Sequence, residues 1–364
     1  MRVGLVLGAG GVVGASWLIG ALEALQDETG WDPSDASVIV GTSAGSVIGA
    51  LTASGLPPAY MAAYVAGREV DEIADAAARA GENREDIAEA LAMARSAEVA
   101  GARPDGRGYR LARALPPVGP GSWQLAMRTL LAPHRHSPAA MLCGWLPRGF
   151  VRTDPISELV KSFVPGDWPD HEGYWAVAAD YATGRRVAFG RDDAPPAHVS
   201  DAVAASCAIP AFYHPVRIAG RRYIDGGICS PSNLDLVRGQ QLDLVVCLNP
   251  MSSIAQISGG SPGDRMGALL RGLAGRRLGH EARKLRESGT KVLVLQPGAE
   301  DVKVMGFNMM SGRRRVQVTE TAMKSTALAL RRVRLRDPSV LPERSRRRGG
   351  ASRRRVARRA RRAA

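Results

Sequence analysis

The stretch that decides the fold is residues 37–52, SVIVGTSAGSVIGALT. Its apolar start, Ser37–Val40, predicts a buried strand, and Ser46–Thr52 predicts the start of a helix. The residues between them, Gly41-Thr42-Ser43-Ala44-Gly45, form a GxSxG motif. At a sharp strand-to-helix turn this motif holds the serine in a strained conformation, with glycines where backbone passes closely. The helix N-terminus favours negative charge there, so Ser43 is a candidate nucleophile. The alternative is an ordinary glycine-rich turn.

The N-terminal segment shows the same strand, loop and helix pattern. Residues 2–7 predict a buried strand, and residues 14–26 carry apolar side chains at helical spacing. Val3–Leu22 is uncharged over twenty residues and suggests a signal peptide or a membrane span. Six of these residues are glycine, which makes a poor membrane helix, so we favour the strand and helix. Strand, helix, strand, helix predicts a parallel sheet covered on both faces.

The glycine-rich loop Gly8–Gly14 has two interpretations. Its GxGxxxG spacing is compatible with dinucleotide binding in a nicotinamide-dependent oxidoreductase, with Glu28 or Asp32 near the ribose. The other interpretation is an oxyanion hole, in which backbone N–H groups face the negative charge of a tetrahedral intermediate. The candidate donors are Gly10, Gly11 and Val12. Both loops follow adjacent parallel strands, and ligands bind at that edge of open α/β sheets.

The rest of the chain predicts an insertion, more strands and a final helix. Residues 60–150 read as a mostly helical insertion, with an alanine-rich helical stretch at Met61–Val99, a loop at Pro104–Ser122 and a helix at Trp123–Ala132. Strands are predicted at 174–179, 186–189, 244–248 and 292–295, a mobile loop at 252–264 and a helix at 319–334.

The positive charge is concentrated at the C-terminus. The chain carries a net charge of +14, and residues 331–364 contain fifteen arginines and two acids, which leaves +1 for residues 1–330. Arg344–Arg362 is of low complexity and predicts a disordered tail. Such a tail would bind anionic membranes, or nucleic acid without sequence specificity. Aromatic residues make only 5% of the chain, which argues against a base-stacking surface.

Cysteine spacing argues against a metal site. The four cysteines form no CxxC pair and no Cys/His cluster, so neither a zinc site nor a disulfide framework is predicted. We expect no metal and no cofactor. Unpaired cysteines fit a reducing, cytoplasmic location.

A third motif supplies a carboxylate far along the chain, in Tyr223-Ile224-Asp225-Gly226-Gly227. Asp225 either reaches Ser43 and orients or deprotonates it, or caps its own turn. A Ser-His-Asp hydrolase also needs a histidine. None of the six histidines lies in the late strand-to-loop context of an α/β-hydrolase, and Ser43 follows only the second strand. His198 and His214 are therefore interpreted as structural or solvent-exposed.

Together these motifs resemble the patatin-like phospholipase family in their order and separation. The resemblance covers residues 1–55 and 170–335 and includes Ala205–Pro210 before the Asp motif. It implies a three-layer α/β/α fold with a mainly parallel central sheet. The mostly helical insertion at residues 60–150 and the disordered basic tail lie outside the resemblance. The resemblance also implies a Ser43–Asp225 dyad without histidine. The glycines that would support the motifs are Gly8, Gly14, Gly41, Gly45, Gly226 and Gly227.

The resemblance implies a serine hydrolase that cleaves acyl esters of lipids or phospholipids through a covalent acyl-enzyme. We expect a catalytic domain over residues 1–335 and a tail over 336–364, with peripheral membrane contact through the tail. The insertion either forms a lid or acyl-chain wall, with Trp145 and Phe150 touching lipid, or is a plain helical elaboration.

Two departures from the family pattern keep an alternative open. Val13 stands where the family usually has Arg or Lys, and the family's Asn-x-Pro after the Asp motif is replaced by Ile228–Asn233. The alternative is a catalytically weak or inactive family member that its tail recruits to anionic membranes or nucleic acid.

Overall fold

An eight-stranded mixed sheet lies at the centre of the protein in the computed structural model, which describes residues 1–67, 120–135, 137–164, 166–253 and 262–345. The strand order is β5-β6-β3-β2-β1-β7-β8, and β4 pairs with β3. Strands β3, β2, β1, β7 and β8 are parallel, whereas β4, β5 and β6 are antiparallel to their neighbours. The strands are β1 (Val3–Leu7), β2 (Val38–Thr42), β3 (Tyr174–Asp180), β4 (Arg186–Phe189), β5 (Val216–Ile218), β6 (Arg221–Asp225), β7 (Leu244–Leu248) and β8 (Lys291–Leu295).

Helices cover both faces of this sheet. They are α1 (Gly11–Thr29), α2 (Ala44–Ala53), α3 (Pro58–Val65), α4 (Trp123–Leu131), α5 (Pro138–Trp145), α6 (Asp154–Phe163), α7 (Val199–Ser206), α8 (Pro262–Glu287), α9 (Ala299–Met305) and α10 (Arg315–Arg336). One face of β1 places Leu5 and Leu7 against a core shared with α1, α2, α7 and α10. The other face places Val6 in a second core with α8. Because both faces are buried, the central strands are apolar throughout, and the predicted three-layer α/β/α class is confirmed.

Strands β2 and β6 share one edge of β3, and this arrangement positions the site. Val177 of β3 pairs with Thr42 on one edge, while the next residue, Ala178, pairs with Asp225. Strand β4 pairs with both Val177 and Ala178, so it occupies the opposite edge. The last residue of β2 and the last residue of β6 therefore meet side by side against neighbouring residues of β3.

Several predicted elements differ from the observed ones. Helix α1 begins at Gly11, three residues earlier than predicted, and α10 begins at Arg315 instead of Thr319. The hairpin of β5 and β6 was not predicted, because its arginines break the apolar pattern. Val3–Leu22 forms β1 and the first half of α1. Within the described residues, no helix is long and apolar enough to cross a membrane.

The packed body continues into residues that we assigned to the tail. The backbone N–H of Ser345 donates to the carbonyl of Gly30, and its hydroxyl accepts the N–H of Asp32. Most of the predicted Met61–Val99 and Pro104–Ser122 segments, much of the 252–264 loop and the tail beyond Ser345 lie outside the described residues. The described part of the predicted insertion, residues 60–150, contains most of α3 and all of α4 and α5.

Candidate active site

Ser43 lies in a strained turn between β2 and α2. Its backbone has φ 53° and ψ −123°, and only 4% of the residue is exposed. A positive φ at a non-glycine residue costs about 1–3 kcal/mol, so the surrounding structure must hold it. A Cβ at Gly45 would lie 2.1 Å from the carbonyl oxygen of Leu7, and one at Gly41 would lie 2.4 Å from that of Gly45. Glycine at both positions lets the turn pack directly on the end of β1.

A second serine holds the backbone of this turn. The N–H of Ser43 donates to the hydroxyl of Ser206 at 2.9 Å, and that hydroxyl donates to the carbonyl of Val177 at 2.6 Å. Ser206 is fully buried at the end of α7 and thereby connects the serine turn to β3. Our sequence interpretation quoted Ser206 within the segment before the Asp motif but assigned it no role.

Asp225 is brought to Ser43 by the shared edge of β3. The carboxyl group is buried, with 5% of the residue exposed, and accepts a hydrogen bond from the N–H of Gly227 at 2.7 Å. Burial raises the pKa of Asp225 to about 6, although hydrogen bonds from the side chain of Ser43 and the N–H of Gly227 lower it. A Cβ at Gly226 would lie 2.4 Å from the carbonyl oxygen of Val177, so this turn also packs closely on β3. The buried carboxylate can accept a proton from the serine hydroxyl near neutral pH.

The glycine loop supplies unpaired backbone donors at the end of β1. Gly8 N–H is bonded to Leu248, Val13 N–H to the carbonyl of Met309 at 3.0 Å, and Gly14 N–H to the carbonyl of Gly10 at 2.8 Å. The N–H groups of Gly10, Gly11 and Val12 have no such partner among the described residues. They lie at the N-terminus of α1, where the helix dipole favours an anion.

Two segments pack behind this loop. A Cβ at Gly11, which has φ +60°, would lie 2.7 Å from the carbonyl oxygen of Met309. A Cβ at Gly10 would lie 2.7 Å from the ring of Pro250. Substitution of either glycine would push the donors away from these supports.

A buried arginine from α8 joins the two supporting segments. Arg271 is 6% exposed and donates to the carbonyls of Pro250 at 3.1 Å and Gly306 at 3.3 Å. Burial lowers the pKa of Arg271, and no carboxylate in the described part of the chain pairs with it. Val13 contributes no charge to the loop and is buried in the core. A cation therefore binds the segments that pack against the glycine loop, although it does not stand at the position where the family pattern has one.

Asn233 stabilises the turn that contains Asp225 through hydrogen bonds. It is fully buried, and its amide donates to the hydroxyl of Thr42 at 2.9 Å and to the carbonyl of Ser230 at 2.7 Å. Its Oδ1 accepts from Arg186, which also pairs with Asp235. Asn233 thus links the end of β2 to the loop after Asp225. We had recorded this residue only as a departure from the family pattern.

Among the described histidines, His171 and His198 make structural contacts, whereas His134, His214 and His280 are exposed. His198 caps α7 by accepting the N–H of Ser200, and the ring of His171 contacts the carbonyl of Ala36. His214 donates its backbone N–H to Val151. Within the described residues, the Ser43 and Asp225 side chains have no histidine partner, and no group of three or more potential ligands could hold a metal ion.

The acids considered for a nucleotide ribose have other partners. Glu28 pairs with Arg331 and Arg334 of α10, and Asp32 caps a short helix by accepting the N–H of Ser34. The arrangement therefore offers no free carboxylate from these two residues to a dinucleotide.

Comparison with known proteins assigns the chain to a family. The sequence model of the patatin-like phospholipase family matches residues 5–238. The chain belongs to this family. Membership indicates a lipid acyl hydrolase. Among solved structures, VipD from Legionella pneumophila matches at 13% identity and a TM-score of 0.43. The match covers 90% of this chain, and this chain spans 66% of the length of VipD.

Proposed function

We propose that this patatin-like protein hydrolyses acyl esters of lipids or phospholipids with Ser43 as nucleophile and Asp225 as base. The observation that carries the proposal is the buried pair itself: a serine in a strained turn, whose side chain interacts with a buried carboxylate whose pKa is raised to about 6. Asp225 also caps its own turn by accepting the N–H of Gly227. Its pKa is raised all the same, so the hydrogen bonds that it accepts do not offset the cost of burying its charge. Perturbed groups of this kind cluster at functional sites.

The first half of the reaction forms an acyl-enzyme. Ser43 Oγ attacks the ester carbonyl carbon while its proton passes to the carboxylate of Asp225. The carbonyl oxygen becomes an oxyanion, which accepts hydrogen bonds from the N–H groups of Gly10, Gly11 and Val12. Loss of one such donor commonly lowers the rate by about 10²–10³-fold. When the tetrahedral intermediate collapses, the ester C–O bond breaks and the Asp225 proton passes to the departing alcohol.

The second half restores the serine. Water attacks the acyl carbonyl and gives its proton to Asp225, and the same N–H groups hold the oxyanion again. Collapse releases the fatty acid and returns the proton to Ser43 Oγ. Asp225 must be ionised to begin each half, which a pKa of about 6 allows at neutral pH.

Covalent labelling with a fluorophosphonate probe tests this proposal directly. Wild-type protein should be labelled, Ser43→Ala should not be labelled at all, and Asp225→Ala should be labelled far more slowly. The chain contains a matched control pair, since Ser339 donates its hydroxyl to Asp337 on the exposed surface. Ser339→Ala and Asp337→Ala should label like wild type.

Two outcomes would contradict the proposed hydrolase activity of Ser43. One is no labelling of folded wild type, which would favour the inactive, tail-recruited alternative. The other is labelling that persists in Ser43→Ala, which would place the reactive group elsewhere. Because the probe blocks the serine that it labels, unlabelled wild-type protein is assayed for fatty acid release from a soluble short-chain ester and from phospholipid micelles.

The arginine-rich tail is the proposed route to peripheral membrane contact. Its charge supports attraction to anionic lipid, with each arginine near the surface contributing about 1 kcal/mol. Deletion of residues 346–364 should weaken sedimentation with anionic vesicles and make it less sensitive to salt. Unchanged sedimentation would contradict recruitment by the tail. If the deletion weakens binding to duplex DNA as much as it weakens binding to vesicles, the tail is a general polyanion binder.

A further inference from the structure

Helices α4 and α5 present an apolar face to solvent. On α4 the side chains of Trp123, Met127, Leu130 and Leu131 recur at helical spacing and are 43–78% exposed. The opposite side of α4, which includes Leu125, is buried. Soluble proteins rarely expose so many large apolar side chains on one element without using them.

The face continues from α4 onto α5 and the loop after it. The rings of Trp123 and Trp145 meet edge to face at a centroid distance of 6.2 Å. Leu142 is 60% exposed one turn earlier on α5, and Phe150 is 73% exposed five residues beyond the end of that helix. We call these side chains the α4–α5 face: Trp123, Met127, Leu130, Leu131, Leu142, Trp145 and Phe150.

The charged residues in the segment that contains the α4–α5 face are all arginines. Residues 120–150 contain three arginines and no acidic residue. Arg128 lies exposed on α4, and Arg148 is exposed close to Phe150. Exposed tryptophans beside arginines are typical of a surface that lies in a bilayer interface, where the rings enter the headgroup region and the cations meet anionic lipids.

The buried side of the same helix pair packs beside the Asp225 turn. Cys143 and Leu125 pack in one cluster with Ile224 and Ile228, on either side of Asp225. The hydroxyl of Ser137 at the start of α5 donates to the carbonyl of Ile228 at 2.5 Å. Burial is the main cause that raises the pKa of the Cys143 thiol, and the charge of Asp225 raises it further. Cys143 on α5 is therefore close to the carboxylate of Asp225. A membrane seated on the α4–α5 face would therefore lie beside the candidate dyad.

We propose that the α4–α5 face docks on the surface of an anionic phospholipid bilayer. This docking is separate from recruitment by the tail, and it rests on the proposed function only in taking the substrate's own lipid surface as the partner. The tail provides long-range attraction to charge, whereas the face inserts apolar side chains and orients the body on the membrane.

Tryptophan fluorescence measures the contact directly in the full-length Ser43→Ala protein, which should leave the lipid intact. Trp123 is 62% and Trp145 44% exposed, whereas Trp17, Trp31 and Trp175 are buried and Trp168 is half-buried. Vesicles of phosphatidylcholine and phosphatidylglycerol should shift the emission to shorter wavelength, and brominated acyl chains should quench it. Quenching should disappear in Trp123→Phe/Trp145→Phe. A protein held by its tail alone would sediment with the vesicles without this quenching, which would overturn the proposal.

A paired variant tests whether the apolar side chains supply affinity. Leu131→Ser/Phe150→Ser should weaken partition into the same vesicles by roughly tenfold, because two side chains lose their burial in lipid. The control is Leu328→Ser/Leu335→Ser on α10, two exposed leucines outside the face, which should bind like the parent. Equal loss in both variants, or no loss in the first, would contradict the docking surface.

Two further measurements separate the proposals. In the protein that retains Ser43, the Leu131→Ser/Phe150→Ser variant should hydrolyse a soluble ester at the wild-type rate. That result would show that the site is intact. If wild-type protein shows normal quenching by the vesicles but no esterase activity, the proposed hydrolase activity is wrong and the proposed docking surface is supported. If light scattering shows that the face variant converts a dimer to a monomer while vesicle partition is unchanged, the face is an interface between two copies and the proposal is wrong.

Discussion

Replacing Asp225 with asparagine tests what it costs to hold a carboxylate in the buried site. Burial raises the pKa of Asp225 from 3.8 to about 6. The folded protein therefore binds this proton more tightly than the unfolded chain, and its stability falls as the pH rises between these two values. The loss corresponds to about 3 kcal/mol of unfolding free energy at pH 7.

The Asp225→Asn variant should recover this free energy while losing activity. Asparagine cannot ionise, but its carbonyl oxygen can still accept the hydrogen bond from the N–H of Gly227. We expect the variant to be more stable than wild type at pH 7, by up to about 3 kcal/mol, and equal to it near pH 4. Urea unfolding curves between about pH 4 and pH 8 give this difference. Fluorophosphonate labelling should fall sharply in the same variant.

Asp235 serves as the control, because its pKa is shifted in the opposite direction to that of Asp225. Burial raises the pKa of Asp235, but hydrogen bonds and the charge of Arg186 outweigh it and leave that pKa below its ordinary value. Asp235→Asn should therefore destabilise the protein at pH 7. If Asp225→Asn is no more stable than wild type at pH 7, or if the difference between them does not change with pH, the burial argument for Asp225 is wrong.

The remaining predictions concern the rate and the elements that hold the site. The kcat/KM for a soluble ester should fall about tenfold per pH unit below about pH 6, because Asp225 must be ionised to accept the serine proton. Gly11→Ala should abolish labelling through its collision with a neighbouring carbonyl, whereas Gly55→Ala, which also has positive φ but meets nothing within 4 Å, should retain it. Ser206→Ala should lower kcat by about tenfold without unfolding the protein, because the serine turn loses its link to β3. Arg271→Met should lower the labelling rate by about tenfold and Arg271→Lys by less, because a cation behind the glycine loop is kept.

Each of these predictions has an outcome that would contradict it. A flat pH profile down to pH 5 would mean that another group accepts the proton. Equal labelling of the two alanine variants would show that the glycine loop is not part of the site. A circular dichroism spectrum that changes in the serine or arginine variants would attribute the lost rate to unfolding.

The central sheet could be predicted because its local pattern and its environment agree. Strands buried on both faces must be apolar throughout, so β1, β2, β7 and β8 are visible as short apolar runs. The turn at Ser43 is equally local, because glycines at fixed spacing are required where backbones touch. Family membership and fold class follow from these local signals.

The rest of the candidate site depends on long-range contacts. Strand β6 contains arginines and has no apolar run, so neither its existence nor its place beside β2 is visible in the sequence. Ser206, Asn233 and Arg271 are buried polar side chains whose partners lie elsewhere in the chain, and nothing in their neighbouring residues indicates a role. A polar residue at a predicted core position is the one signal that could have identified them.

The shared edge of β3 sets the spacing of the candidate pair, Ser43 and Asp225, through the register of the strands. Thr42 and Asp225 are aligned on neighbouring residues of one strand, a rise of about 3.3 Å. In the described part of the connection between β2 and β3, the buried sides of α4 and α5 pack on the residues that flank Asp225. A protein engineer who keeps those buried contacts can therefore change the exposed side of these helices, and with it the surface or substrate that the protein meets, while the spacing of the pair is kept.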